Sequence, residues 1–309
     1  MKKYNLTHLA VIACATIAFG ASFDAWWHVS KGRDSFFVLP HLFIQLGVFT
    51  LLFISYYGWR KLGKPEWKKI FWWIFLVPVS LPFDEMWHRF RGKESVESIL
   101  IVWSPPHVVL FVGAIGALFA VSHMIKKEKD LVARELFGSL IIAGLLNLCF
   151  ILSGPFFPFS PFAVIGFYGA AVTSFLLVYM FIHAHRVLPS IFPAVLVALF
   201  STALQMVFSD SNVAFGTRAA GSYPYIPNWI VLFSQIAPAA LVDFMPKKRM
   251  WLTGGLAGLI FGLILYWLSF TFIDSSFNPG GAAMIAGVLS SGVGGLLAGL
   301  WHSKYKALT

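Results

Sequence analysis

The chain has 309 residues, of which 58% are hydrophobic and only 12% are charged, and its mean hydropathy is +0.77. This composition leaves too little polar surface for a soluble globular protein, so it predicts an all-α, polytopic integral membrane protein. The formal net charge of +10 comes from basic residues that are dispersed between apolar segments, which argues against nucleic acid as a partner.

Apolar segments of about 17 to 25 residues, long enough to cross a bilayer, recur along the whole chain. The sequence predicts ten spans, near residues 6–24, 37–57, 69–88, 105–124, 136–153, 162–183, 188–208, 226–245, 251–272 and 281–301. On this arrangement 17 of the 23 Lys and Arg residues fall on the side that carries both termini. Because cytoplasmic loops carry the excess of Lys and Arg, both termini are predicted to be cytoplasmic.

The first four predicted spans contain a motif that occurs twice. Residues 23–28 read Phe-Asp-Ala-Trp-Trp-His and residues 83–88 read Phe-Asp-Glu-Met-Trp-His. Each copy continues to a Pro-His pair at the start of the next apolar segment, with a glycine six residues after that histidine. Matches at matched offsets indicate an internal duplication of two helix pairs. We therefore expect duplicated helix pairs in residues 1–125 and a transmembrane helical scaffold in residues 126–309.

Each copy of the motif supplies one aspartate and two histidines. Asp24 and His28 are four residues apart, so on a helix they share one face, one turn apart, and Asp84 and His88 repeat this spacing. The charge distribution places all of them at the outer ends of their spans. A cation could bridge the two side chains of either pair.

The second histidine of each copy follows a proline, as Pro40-His41 and Pro106-His107. Proline suits the first positions of a helix, so each histidine is predicted to lie in the first turn of its span. The positive end of the helix dipole disfavours an imidazolium there, and the neutral imidazole is the form that binds metal ions. This placement favours a neutral histidine that binds metal over a positively charged imidazolium.

Two histidines and one carboxylate from adjacent helices form a ligand set that leaves coordination positions open, which is typical of catalytic metal sites. These ligand types suit copper, iron or zinc. The predicted metal ligands are Asp24, His28, His41, Asp84, His88 and His107, and the predicted proton donors are Glu85 and Asp34. Two alternatives are an interfacial network in which Asp and His only hydrogen-bond each other, and a proton or substrate relay.

The spacing Asp24-x3-His28-x12-His41 resembles the metal-binding motif of the C subunit of copper membrane monooxygenases, the particulate methane and ammonia monooxygenases. That family carries a second, similar motif in which asparagine stands where this chain has Asp84, with a shorter gap before the last histidine. The resemblance implies that the first set binds copper near the outer face and that the second set forms a related site. It also implies partner membrane subunits.

These observations predict a membrane-embedded, metal-dependent oxidoreductase, monooxygenase-like, that takes an apolar small-molecule substrate from the lipid at the outer leaflet. One alternative is a non-catalytic protein that binds, transports or delivers metal, and another is a scaffold subunit whose polar residues anchor helices. A cation path needs polar residues at mid-membrane depth, where only Gln45, Asn147 and Gln205 occur, which weakens transport.

The second half of the chain carries packing signals rather than ligand sets. Glycines at four-residue spacing, as in Gly254-x3-Gly258 and Gly295-x3-Gly299, predict helices whose backbones approach closely. His183 and His185 fall at the inner end of the sixth predicted span, and we expect them to be interfacial residues.

Overall fold

A computed structural model describes residues 3–30, 37–92, 100–153, 166–207, 228–245, 249–268 and 281–307. Within these ranges the chain is helical, without strands, and forms eleven α-helices. They are α1 (Lys3–Ser30), α2 (Leu39–Arg60), α3 (Pro65–Arg91), α4 (Leu100–Trp103), α5 (Pro105–Ile125), α6 (Leu131–Ser153), α7 (Gly166–Val187), α8 (Pro193–Val207), α9 (Asn228–Phe244), α10 (Met250–Gly262) and α11 (Gly281–Ala307). A π-helical segment, Leu263–Leu268, continues α10.

Eight helices in the described ranges are long and apolar enough to cross a membrane: α1, α2, α3, α5, α6, α7, α10 with its π-helical continuation, and α11. The other two predicted spans correspond to α8 and α9, which have 15 and 17 residues. At 1.5 Å per residue these helices are about 22 and 26 Å long, against a hydrocarbon core of about 30 Å. The fold is therefore that of a polytopic helical membrane protein with eight candidate spans.

The chain divides into two compact units, Met1–Leu152 and Ser153–Thr309. In the first unit α1 packs on α2, α2 on α3, and α3 on α5. Helix α6 belongs to the same unit, since a Cβ added at Gly144 would lie only 3.0 Å from the methyl group of Ala18 in α1. The unit thus extends one helix beyond residue 125, where the sequence division was drawn. Cys14 and Cys149 are free and buried in this unit.

In the second unit the glycines of α10 and α11 face each other's backbone. A side chain at Gly254 would clash with the carbonyl of Gly295, and one at Gly258 would clash with the carbonyl of Ser291. The packing role predicted for these spacings is confirmed. The Ser174 hydroxyl of α7 donates a hydrogen bond to the same Ser291 carbonyl at 2.7 Å, so α7 meets α10 and α11 at this point.

Of the two histidines at the end of α7, His183 is buried and His185 is partly buried, and their location at the membrane interface stays a prediction. His183 stacks on Tyr179 with ring centroids 6.4 Å apart. His185 Nε2 lies 2.9 Å from Oδ1 of Asp243, a carboxylate that is fully buried. The same carboxylate accepts the backbone amides of Ala194 and Val195, which begin α8 and have no intrahelical partner. Asp243 therefore caps a helix other than its own.

Candidate metal centre

The second ligand set comes together at the junction of α3 and α5. Asp84 and His88 lie one turn apart near the end of α3, and His107 is the third residue of α5. His107 Nε2 is 3.1 Å from Asp84 Oδ1, and His88 Nε2 is 3.4 Å from the same oxygen. The three side chains are partly buried, and one donor atom from each lies within 4.8 Å of the others.

These separations fit the donor atoms of a single ion. With metal–ligand bonds of about 2.0–2.1 Å, tetrahedral coordination places neighbouring donor atoms about 3.3 Å apart. The two distances from Asp84 Oδ1, 3.1 and 3.4 Å, bracket that value. Three protein ligands leave at least one coordination position for another molecule. The set therefore fits a metal ion, and its chemistry does not choose among copper, iron and zinc.

The start of α5 fixes His107 relative to α3. Ser104 is buried, and its hydroxyl accepts the backbone amide of His107 at 3.4 Å, as an N-cap residue does. Pro105 and Pro106 occupy the first two helical positions. The indole of Trp103 donates to the carbonyl of Leu152 in α6 at 2.8 Å, which ties the turn before the helix to the rest of the unit.

The first ligand set is described in part. Asp24 in α1 and His41 in α2 approach with Oδ1 and Nε2 3.0 Å apart, and both side chains are partly buried. His41 is the third residue of its helix, as His107 is, so the predicted first-turn placement of both histidines is confirmed. The side chain of His28 lies outside the described residues, although its backbone belongs to α1.

Of the two predicted proton donors, Glu85 lies in the part of the chain that the structure describes. Asp34 lies outside the described residues. Glu85 is exposed, and its Oε1 lies 2.9 Å from Nε of Arg89 on the surface of α3. No contact of Glu85 with the ligand cluster is present in the described part of the chain, and its role as a proton donor stays a prediction.

The two helix pairs place matching residues at matching contacts. The aspartate of the first helix meets the histidine of the next at 3.0 Å in one pair and 3.1 Å in the other. A Cβ added at Gly47 would lie 2.7 Å from the carbonyl oxygen of Ala13, and one at Gly113 would lie 2.9 Å from that of Trp73. Ala13 precedes Asp24 by eleven positions, and Trp73 precedes Asp84 by the same number. The glycines of the repeated motif thus mark helix crossings of the same register.

Aromatic residues near Asp24 and His41 in the sequence pack against one another. Phe23, next to Asp24, packs against Trp26 and Trp27 with ring centroids 5.8 Å from each, and against Phe43 of α2 at 6.4 Å. The interfacial aromatic belt expected of the tryptophans stays a prediction.

Sequence reasoning missed Asp243, the buried carboxylate of the second unit. The signal was present, because Asp243 is an ionisable residue inside an otherwise apolar segment, where such residues are costly. Its partners could not be foreseen, since they come from α7 and α8.

Comparisons with protein-family models, with curated proteins and with solved structures gave no match. The case for a metal centre therefore rests on the geometry of Asp84, His88 and His107.

Proposed function

We propose that this chain is a membrane-embedded, metal-dependent oxidoreductase of the monooxygenase-like kind, with copper or iron as its cofactor. The convergence of Asp84 Oδ1 with the Nε2 atoms of His88 and His107 carries the proposal. An open set of two imidazoles and one carboxylate is a donor set that redox-active ions use in catalysis. A structural site would be closed by a fourth protein ligand.

In this proposal the residues of the chain have separate tasks. Asp84, His88 and His107 bind the ion, and Ser104 orients the helix start that presents His107. The first turn of α5 holds that imidazole with its Nε2 3.1 Å from Asp84 Oδ1. A copper or iron ion held there supplies the one-electron chemistry with dioxygen that zinc lacks. The apolar substrate arrives from the surrounding lipid.

We further propose that the first four spans arose by duplication and that Asp24, His28 and His41 form a second, related site. The repeated sequence motif, the matched Asp–His distances and the matched glycine crossings support this. The excess of Lys and Arg on the side of the termini supports cytoplasmic termini and ligand sets near the outer face. The resemblance to copper monooxygenase subunits supports partner membrane subunits.

Oxygen consumption tests the proposed activity. The full chain, purified in lipid nanodiscs and loaded with copper(I) or iron(II), should consume dioxygen when a short alkane and a two-electron reductant are added, and should yield one alcohol and one water per dioxygen. Asp84→Asn should abolish this consumption. If the chain binds metal stoichiometrically but shows no turnover, whether it is assayed alone or with its membrane partners, the proposed oxidoreductase activity is contradicted. That result would favour a protein that stores or delivers metal.

A further inference from the structure

A small cavity lies between α2, α3 and α5 in the first unit. It is lined by Ile44, Gln45, Val48, Phe49, Val77, Pro78, Leu81 and Leu110. Seven of these eight lining residues are apolar, and Gln45 is the exception. The cavity has a volume of about 30 Å³.

The lining residues lie on the same helix faces as the metal ligands. Ile44, Gln45 and Val48 follow His41 by three, four and seven positions along α2, which keeps them on its face. In α3 and α5 the same relation holds: Leu81 precedes Asp84 by three positions, and Leu110 follows His107 by three. At 1.5 Å per residue, the cavity therefore begins about 5 Å along the helices from the ligands. It borders one helix of the first set and both helices of the second.

We propose that this cavity binds a small apolar molecule of two or three heavy atoms beneath the metal ligands, and that Phe49 forms its opening to the lipid. What the bound molecule does there rests on the proposed function. Binding itself requires only the cavity.

The volume sets the size of the ligand. An engineered apolar protein cavity of about 150 Å³ stays dry and accepts benzene or xenon. The cavity found here has about a fifth of that volume, so an aromatic ring or a longer hydrocarbon does not fit without movement of the walls. Water gains little in such a site, because it needs two to four polar partners, and Gln45 is the sole polar side chain in the lining.

Phe49 gives the cavity its opening. Its side chain lines the cavity and is also 53% exposed on the surface of α2. Val77 also lines the cavity, is only 2% exposed and packs toward Gly113 of α5, so the wall that it forms is closed. An apolar solute dissolved in the bilayer can therefore reach the cavity past Phe49 without crossing water.

Xenon under pressure is a suitable probe, because it is apolar, of the right size and independent of bound metal. In crystals of the metal-free full chain, xenon should occupy one site between Val48, Val77 and Leu110. The double variant Val48→Ile, Val77→Ile adds two methylene groups to the walls and should reduce xenon occupancy to background. Val79→Ile is the matched control, since Val79 lies on the same helix, is 38% exposed and does not line the cavity.

A second variant keeps the test independent of overpacking. Leu81→Ala enlarges the cavity and should admit a second xenon atom or a benzene molecule, while the wild type should take one xenon atom and no benzene. Absence of xenon from this cavity in the wild type, or density here that survives the double isoleucine variant, would overturn the proposal. Xenon binding without metal-dependent turnover would contradict the proposed function and leave the cavity site in place. Turnover without xenon binding would contradict the cavity site and leave the proposed function in place.

Discussion

Asp84 holds the second ligand set together, because both imidazoles approach the same carboxylate oxygen. The sequence predicted His88 as its partner from spacing, since positions four apart on a helix share a face, and His107 from the repeated Pro-His pair. It could not predict that His88 and His107 would meet at one atom, which depends on how closely α3 and α5 cross. The buried Asp243 is the opposite case, because its contacts join α9 to α7 and α8 and are evident only from the folded structure.

The two aspartates provide the first prediction. Four consecutive spans, α1, α2, α3 and α5, carry the two ligand sets, and we expect the sites to influence each other. Asp24→Asn should then lower metal occupancy at the second set as well as the first, and the double variant Asp24→Asn, Asp84→Asn should lose little more metal than either single variant. Metal analysis of the three purified variants checks this. About half the metal in each single variant and almost none in the double would mean that the sites are independent.

Asp243 provides a prediction about stability. Asp243→Ala leaves two amides of α8 and the ring of His185 without their buried acceptor, so the free energy of unfolding should fall by about 3 kcal/mol or more. Asp130→Ala is the matched control, because Asp130 caps α6 through the amides of Val132 and Ala133 at an exposed position. Its loss should cost about 1 kcal/mol. Thermal unfolding of both variants decides the matter, and equal changes would contradict a special role for Asp243.

At the level of helices, the sequence predicted where some helices begin but not where they cross. The Pro-His pairs predicted the starts of α2 and α5 to within two residues, because proline marks first-turn positions. The start of α8 was predicted five residues too early, since hydropathy reports the apolar stretch and not the residue where a helix begins. The glycines of the repeated motif predicted nothing specific until the structure placed them at the two crossings.

Alanine at these glycines tests the crossings. In a helix interior with room for a methyl group Gly→Ala stabilises by up to about 1 kcal/mol, and Gly255 in α10, where an added Cβ would meet no atom closer than 3.7 Å, should behave in this way. Gly47→Ala and Gly113→Ala should do the opposite, because a backbone carbonyl stands 2.7 or 2.9 Å from the new methyl group. Gly113→Ala should also lower bound metal by separating α3 from α5. Stabilisation in all three variants, with full metal content, would show that the crossings are not tight.

For the molecule as a whole, composition alone indicated a helical membrane protein, and the eight long apolar helices bear this out. The boundary between the two units was not readable from the sequence, since α6 carries no motif that links it to the helices before it. The short helices α8 and α9 do not alter the predicted orientation. They are consecutive, so the helices on either side keep the same sense whether or not this pair crosses the bilayer.

Reporter fusions test the predicted orientation. Fusions after Lys69, Lys129 and Arg249 should report the cytoplasm, and fusions near Lys93 and Arg218 should report the outside, as the distribution of basic residues requires. A cytoplasmic signal at Arg218 alone would mean that α8 and α9 enter the membrane and return. An outside signal at Lys69 would reverse the orientation and place the ligand sets at the cytoplasmic face.

Bound metal per chain tests the central claim most directly. The wild-type chain, purified without chelators and analysed by elemental mass spectrometry, should carry copper or iron, and His107→Ala should lose the share held by the second set. His123→Ala is the matched control, because His123 lies on the same helix at the opposite end, where its ring Nδ1 is 2.9 Å from the carbonyl oxygen of Phe119. It should keep the wild-type content. A wild-type chain without metal after reconstitution, or equal metal in both histidine variants and the wild type, would contradict a metal centre at Asp84, His88 and His107.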